Sequence, residues 1–597
     1  MAQRLPHSTS GTPAPLLLLL LAFVLLTAWS PRAVHARLVP PSFSHGLHAK
    51  WQLAWLHHHE QSRLNETLAE CIREGRFPKA GRSLEDKINE AKAFLERELG
   101  NPEVAGVGSS VAIVYSDKVV LSQGYGLRQV NDTSSNVTTS TLFQIGSVTK
   151  TFITLGIATL VDEGKVAWKD PVIKHLPTLE LFDKYAQQYV TIGDLLSMNS
   201  GLGETMDLGL VFGHYPTDDD LVEALRYVVP PHSLRSEYEY SNTNFAILGQ
   251  LIRHVTGLEW DVFLKQRIWE PLGMTRTFAS AWDVRNDNDT SDGHFSCGGN
   301  VVGPLNLVDS PKAQLVAGGH GGKIAAGSVV SSSDDMATFL RVLLNKGNVN
   351  GISIVQKPQL ITEMVSGKCP VDDQFQDMFS KGGHHFVAEG NTLAAGYGFD
   401  FVGHALWGHA YYDKSGDTAT HQTRTGFIPD QKLGVIVMAN SQLPSPHGNY
   451  IMDHVRSYVL GVFLDVPKEF LDFSYSIWRT QDQLVSLAPG VPACGLYFWK
   501  DPPSLQLEPG VRSALIGAYL AQESPDFYHS LEIVENNDTK QLELHAGLLS
   551  GPLQLVLNAG DDMIFLWTSQ SGPNLGEIRK SETGKYEINL VILFRQQ

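Results

Sequence analysis

Between Phe143 and Gly164 a serine stands three residues ahead of a lysine, Ser147-Val-Thr-Lys150. The apolar residues that follow, Phe152, Ile153, Leu155, Ile157, Leu160 and Val161, recur at helical spacing and predict a helix that Gly164 stops. Residues three apart share a helix face, so the hydroxyl and the amine project to the same side. Ser147 falls in the first turn, where unpaired N–H groups and the positive end of the helix dipole favour developing negative charge. A lysine stripped of water at that place can accept the hydroxyl proton, which is the minimum equipment of an acylable serine. The chain holds no other Ser-x-x-Lys.

The rest of the chain restricts the setting of that serine. Its 597 residues carry a net charge of −17 with no compensating Lys/Arg run, which argues against a nucleic-acid partner. Leu16 to Trp29 is a run of apolar and small residues, with Arg4 ahead of it and Val34-His35-Ala36 behind. This reads as a secretory signal peptide cleaved after Ala36, with a retained signal anchor as the alternative and no stable membrane span after cleavage. Five Asn-x-Ser/Thr acceptors, Asn65, Asn131, Asn136, Asn288 and Asn537, agree with a secreted or ER-lumenal glycoprotein. Cys71, Cys297, Cys369 and Cys494 are compatible with two disulfides in any of three connectivities, and no Cys-x-x-Cys pair suggests a metal. The His57-His58-His59 tract splays around a helix and is not read as a metal site; no cofactor is expected.

Ser83 with Asp86 forms a capping-box pattern for a helix reaching about Leu99, after an N-terminal extension at 37–82. Strands are expected at Ser109–Tyr115 and Val119–Tyr125, and again at Tyr397–Val402, Thr418–Thr425 and Leu433–Asn440. Strands at both ends with helices between describe an α+β domain over 83–465: an antiparallel sheet flanked by helices, with an all-helical lobe. A Pro-rich stretch near Ala488–Pro503 places a linker at 466–510. Short alternating runs from there on predict a small C-terminal all-β, barrel-like domain at 511–597.

Glu237-Tyr-Glu-Tyr240-Ser241-Asn242 leads into an amphipathic helix, and Tyr-x-Asn about a hundred residues after Ser-x-x-Lys is informative. With Thr191-Ile-Gly-Asp-Leu-Leu-Ser-Met-Asn-Ser200-Gly-Leu202, Val166-Ala-Trp-Lys-Asp-Pro171 and Ile268-Trp-Glu-Pro-Leu-Gly-Met274, the chain resembles the serine β-lactamase and D,D-peptidase superfamily. The likeness runs from about Ser83 to Leu464 and is nearest to class C β-lactamases and related esterases and peptidases. It implies Ser147 as nucleophile, Lys150 and Tyr240 as proton carriers, and Asn242 as a substrate-binding amide. It also implies a strand with Lys-Thr-Gly or His-x-Gly along one wall of the cleft, for which the expected stretch is Thr420-His421-Gln-Thr423-Arg424-Thr-Gly426. His421 then fills the basic position, Thr423 stands where Gly is usual, and the backbone N–H of Arg424 joins that of Ser147 in an oxyanion hole.

The Gly-x-Ser-x-Gly elbow and the His-Glu-x-x-His zinc motif are both missing, and Gly318–Lys323 lacks the Ser/Thr of a phosphate loop. The expectation is a secreted serine hydrolase forming an acyl-enzyme on an amide or ester, with a small molecule or peptide as substrate. The alternative is a catalytically weak relative that binds or builds structure.

Overall fold

In the computed structural model of the chain, the described residues are 67, 70, 71, 74–203, 212–215, 217–306, 308, 323–371, 394–442, 451–481, 491–560, 562–569 and 572–597. The apolar leader, the His57–His59 tract and Asn65 lie outside them. Ser83 accepts the Asp86 N–H while the Asp86 carboxylate accepts the Ser83 N–H, and this reciprocal cap opens α1, Leu84–Leu99. β1 (Gly108–Tyr115) and β2 (Lys118–Gly126) pair antiparallel through Ser116 and Asp117, whose φ angles of 50° and 65° suit the right-handed twist of a tight hairpin.

α2, Thr149–Asp162, is not a one-sided surface helix: every residue from Thr149 to Leu160 is buried. A helix apolar on all sides belongs inside the molecule. The hydroxyls of Thr151, Thr154 and Thr159 remain satisfied there because they donate back to carbonyls of the preceding turn. The lobe beyond it includes α3 (Asp218–Ala224) and α4 (Thr243–Thr256), and α5 (Ser333–Leu344) returns the chain to the sheet.

The second strand group is β3 (Phe401–Leu406), β4 (His409–Asp413), β5 (Ser415–Asp417), β6 (Gln422–Ile428) and β7 (Leu433–Ala439), followed by α6, Ile451–Phe463, and α7, Lys468–Gln481. α7 occupies part of the span expected to be linker, because Phe470, Leu471 and Tyr475 bury against the body. The main sheet runs Cys369–Pro370, Ala394–Ala395, β3, β4, β6, β7, β1, β2, with β5 pairing β6 outside that path. At its centre, Val111, Ile113, Val435 and Val437 face the side holding α1 and α6. Ala112, Val114, Ile436 and Met438 face α2 and α5, as the two-residue period of a strand buried on both faces requires.

β8 through β15 (Gly517–Ala521, Ser530–Glu535, Leu542–Ala546, Leu549–Ala559, Asp562–Ser569, Gly572–Lys580, Tyr586–Asn589 and Leu593–Gln596) form a closed antiparallel barrel, the last strand pairing the first. Alternate residues such as Leu531, Ile533, Leu544, Phe565, Ile588 and Phe594 fill it. The barrel grips the body at the segment just ahead of α3. The Leu548 N–H donates to Phe212 O at 2.9 Å, and the Tyr215 hydroxyl donates to Phe527 O at 2.8 Å. One disulfide, Cys297–Cys494, ties the body to the segment leading into the barrel; Cys71 and Cys369 are buried thiols, so the second bridge is not formed. Among the described residues no helix is long and apolar enough to cross a membrane.

Candidate active site

Ser147 sits in a single 3₁₀ turn, Gly146–Val148, that runs into α2. Its Oγ lies 2.7 Å from the Tyr240 hydroxyl and 3.0 Å from Lys150 Nζ. Lys150 is fully buried, and its Nζ also donates to Asn242 Oδ1 at 2.5 Å and to Ala326 O at 2.8 Å. The Tyr240 ring, 5.0 Å from Nζ, and the Phe245 ring, at 5.4 Å, close the apolar side of that amine. Tyr240 and Asn242 lie in the loop that enters α4, which the Ser241 N–H steadies by donating to Met198 Sδ at 3.4 Å. The fold thus joins Tyr240, Ser147, Lys150 and Asn242 in one chain of hydrogen bonds, although more than ninety residues separate the bonded members of the two motifs.

The opposite wall is not the His421 stretch. His421 is fully buried, with Nε2 3.0 Å from Ser291 Oγ and Nδ1 3.0 Å from Thr420 Oγ1. Burial, with His294 nearby, pushes its pKa down to about 3, so it is a neutral packed imidazole and not the cation the resemblance called for. β6 is covered on the nucleophile's side by β5, in the register Ser415↔Arg424, Gly416↔Thr423, Asp417↔Gln422. The residues against Ser147 are therefore Lys414-Ser415-Gly416, a Lys-Ser-Gly in place of the expected Lys-Thr-Gly.

Two glycines allow that approach. A Cβ on Gly416 would stand 2.0 Å from Ile145 O and 2.9 Å from the nitrogens of Ser147 and Val148. Gly146, at φ 53°, is equally close to the other side: a Cβ there would lie 2.8 Å from Asp417 N. The Lys414 ammonium pairs with Asp400 and lies 5.2 Å from the Tyr240 ring centre. On the ladder the Thr418 N–H donates to His421 O and the Thr425 N–H to Lys414 O. By the alternation of antiparallel bonding, the N–H of Asp417 points off the other edge, toward the nucleophile turn. Asp417, not Arg424, thus occupies the place assigned to the second oxyanion donor.

Arg424 acts beneath the wall instead of on it. It is 4% exposed, and its guanidinium joins Asp453 at 2.8 Å and Asp417 at 3.1 Å. Arg456 extends the network to Asp453 at 2.8 Å and Asp413 at 3.1 Å, so α6 is tied to both ends of the Lys-Ser-Gly segment. The four described glycosylation candidates, Asn131, Asn136, Asn288 and Asn537, are exposed.

A family model described as Beta-lactamase matches residues 93–459. The chain is 33% identical over 250 residues to the "Unguisins hydrolase ungD'" of Aspergillus campestris, an alignment spanning 40% of this chain and 44%, less than half, of that protein. It is 23% identical over 378 residues to "Protein flp" of Staphylococcus aureus, covering 63% of this chain and 67% of that one. Among solved structures, the octameric penicillin-binding protein homologue from Pyrococcus abyssi superposes with a TM-score of 0.51 and 21% identity, over 85% of this chain and 100% of its own.

Proposed function

The chain belongs to the Beta-lactamase family, and on that premise we propose that it is an exported serine hydrolase whose Ser147 forms an acyl-enzyme with an amide or ester substrate. The family supports serine-hydrolase-like chemistry in general, and a relative named as a hydrolase points the same way. One observation carries the finer reading: a hydroxyl held at 2.7 Å and 3.0 Å by a phenol and a buried amine, facing a Lys-Ser-Gly strand edge. Ser147 Oγ attacks the substrate carbonyl carbon and its proton passes to the Lys150–Tyr240 pair, which holds it for the departing amine or alcohol. The N–H groups of Ser147 and Asp417 receive the oxyanion. Water then attacks the ester, giving its proton to the same pair, and Ser147 recovers its own as the acid leaves. Asn242 holds Lys150 in place through Oδ1.

The reading of a catalytically weak binding protein drew on the altered His421 strand and on the added C-terminal domain, and Lys414-Ser415-Gly416 weighs against the first of these. Export is supported by the apolar leader, by four exposed acceptor asparagines and by the Cys297–Cys494 bridge. A fluorophosphonate probe should label the wild-type protein and leave Ser147→Ala unlabelled. Equal labelling of the two, or none of the wild type, would refute the proposal.

A further inference from the structure

The proton-carrying amine has a second neighbour that neither motif contains. Asp218 opens α3, capped by Thr217, and its side chain turns inward, leaving the residue 8% exposed. Its Oδ2 accepts the Ala325 N–H at 2.9 Å, and the next carbonyl along, Ala326 O, accepts from Lys150 Nζ at 2.8 Å. Its Oδ1 is buried with no hydrogen-bond partner among the described residues. A buried carboxylate oxygen left unbonded costs stability and calls for a reason.

Resting on the serine-hydrolase reading above, we infer that Asp218 is a positioning residue for Lys150. It fixes the Ala325–Ala326 segment that cradles the amine, and its charge sets the pH at which the amine gives up its proton.

The surroundings isolate this pair. On its own helix Asp218 is followed by Asp219, which raises its pKa but is itself tied to Arg253 of α4 at 2.8 Å. Two residues before Ala325, Lys323 is paired with Asp261. The Ala325 N–H and, more weakly, the Lys150 charge lower the Asp218 pKa. Burial opposes them and, with Asp219, lifts the carboxyl to about 7. An ionised Asp218 holds the proton on Lys150, whereas a protonated Asp218 releases it. The barrel reinforces this geometry, because Phe212 and Tyr215, which it grips, stand only a few residues before Asp218.

Asp218→Asn keeps the acceptor and removes the charge, whereas Asp218→Ala removes both. The acid limb of the fluorophosphonate labelling rate should move down by about one pH unit in Asp218→Asn. In Asp218→Ala labelling should fall about tenfold or more as the cradle loosens. Asp218→Glu, which retains the charge, should leave the limb where the wild type has it. An unmoved limb in Asp218→Asn, or a moved one in Asp218→Glu, overturns the inference.

A second readout is independent of turnover: the thermal midpoints of Asp218→Asn, Lys150→Met and the double variant. Their effects should be non-additive above neutral pH, where Asp218 is ionised, and closer to additive in acid, where it is neutral. Additivity at every pH overturns the inference even where the wild type labels normally. Non-additivity with an unlabelled wild type upholds the pair and refutes the hydrolase reading instead.

Discussion

Gly416→Ala tests whether Lys414-Ser415-Gly416 is the wall of the site. The added Cβ would stand 2.0 Å from Ile145 O, a backbone atom of the nucleophile turn that no rotamer change can move aside. Carbon-to-carbonyl-oxygen contacts settle near about 3.3 Å, so β5 and the turn must part by about 1.3 Å. A shift near 1 Å between nucleophile and oxyanion donors costs about 10²-fold in rate. Overpacking of this kind costs about 1–3 kcal/mol, which a domain of this size survives. The second-order labelling rate with a fluorophosphonate should therefore fall about 10²-fold while the protein stays folded by circular dichroism. The matched control is Thr423→Gly, in the paired position of β6 behind β5. If labelling by Gly416→Ala stays within a few-fold of wild type, or Thr423→Gly raises it, β6 is the wall and the reasoning fails.

Lys150→Met removes the donor to Ser147, Asn242 and Ala326 together and should cost about 10³-fold or more in acylation, within the range that a general base and its hydrogen bonds contribute. Arg424→Met strips Asp417 and Asp453 of their shared cation, and denaturant melts should show a loss of about 3–5 kcal/mol, as for a broken buried pair. His421 and His294 have folded pKa values pushed down to about 3 and about 4, below their ordinary 6.5. Their contribution is present above pH 6.5 and is lost as pH falls toward those values, each at up to about 1.4 kcal/mol per unit. The slope of stability against pH in that window should shrink in His421→Gln; an unchanged slope would show that His421 does not titrate this way. Reducing Cys297–Cys494 should lower stability by about 2–4 kcal/mol in calorimetry, and an unchanged thermal midpoint would deny the bridge any constraint on the unfolded chain.

Part of the candidate site was legible in the residues, with the family resemblance singling out Tyr240 and Asn242 through Tyr-Ser-Asn. Local spacing put Ser147 and Lys150 on one face, because three residues nearly complete a helical turn. The β1–β2 hairpin and the alternating strands of the barrel were legible for the same reason, since their signals lie within a few neighbouring residues. The Lys-Ser-Gly wall was present in the residues too. β4 and β5 are short, however, and the Trp407-Gly408 turn before them, with φ of 50° and 81°, carries no strong hairpin signature.

What only the tertiary structure decided is which edge of the sheet faces the nucleophile. That choice depends on pairing strands hundreds of residues apart, as β7 with β1, and on burying charges that sequence cannot match to one another. It turned His421 into a neutral core residue, made Arg424 a brace beneath the wall, and drew Asp218 onto the Ala325–Ala326 segment that Lys150 also bonds. Residue spacing governs contacts within one helix or hairpin; desolvation and long-range pairing govern the rest, and those exist only once the chain has closed on itself.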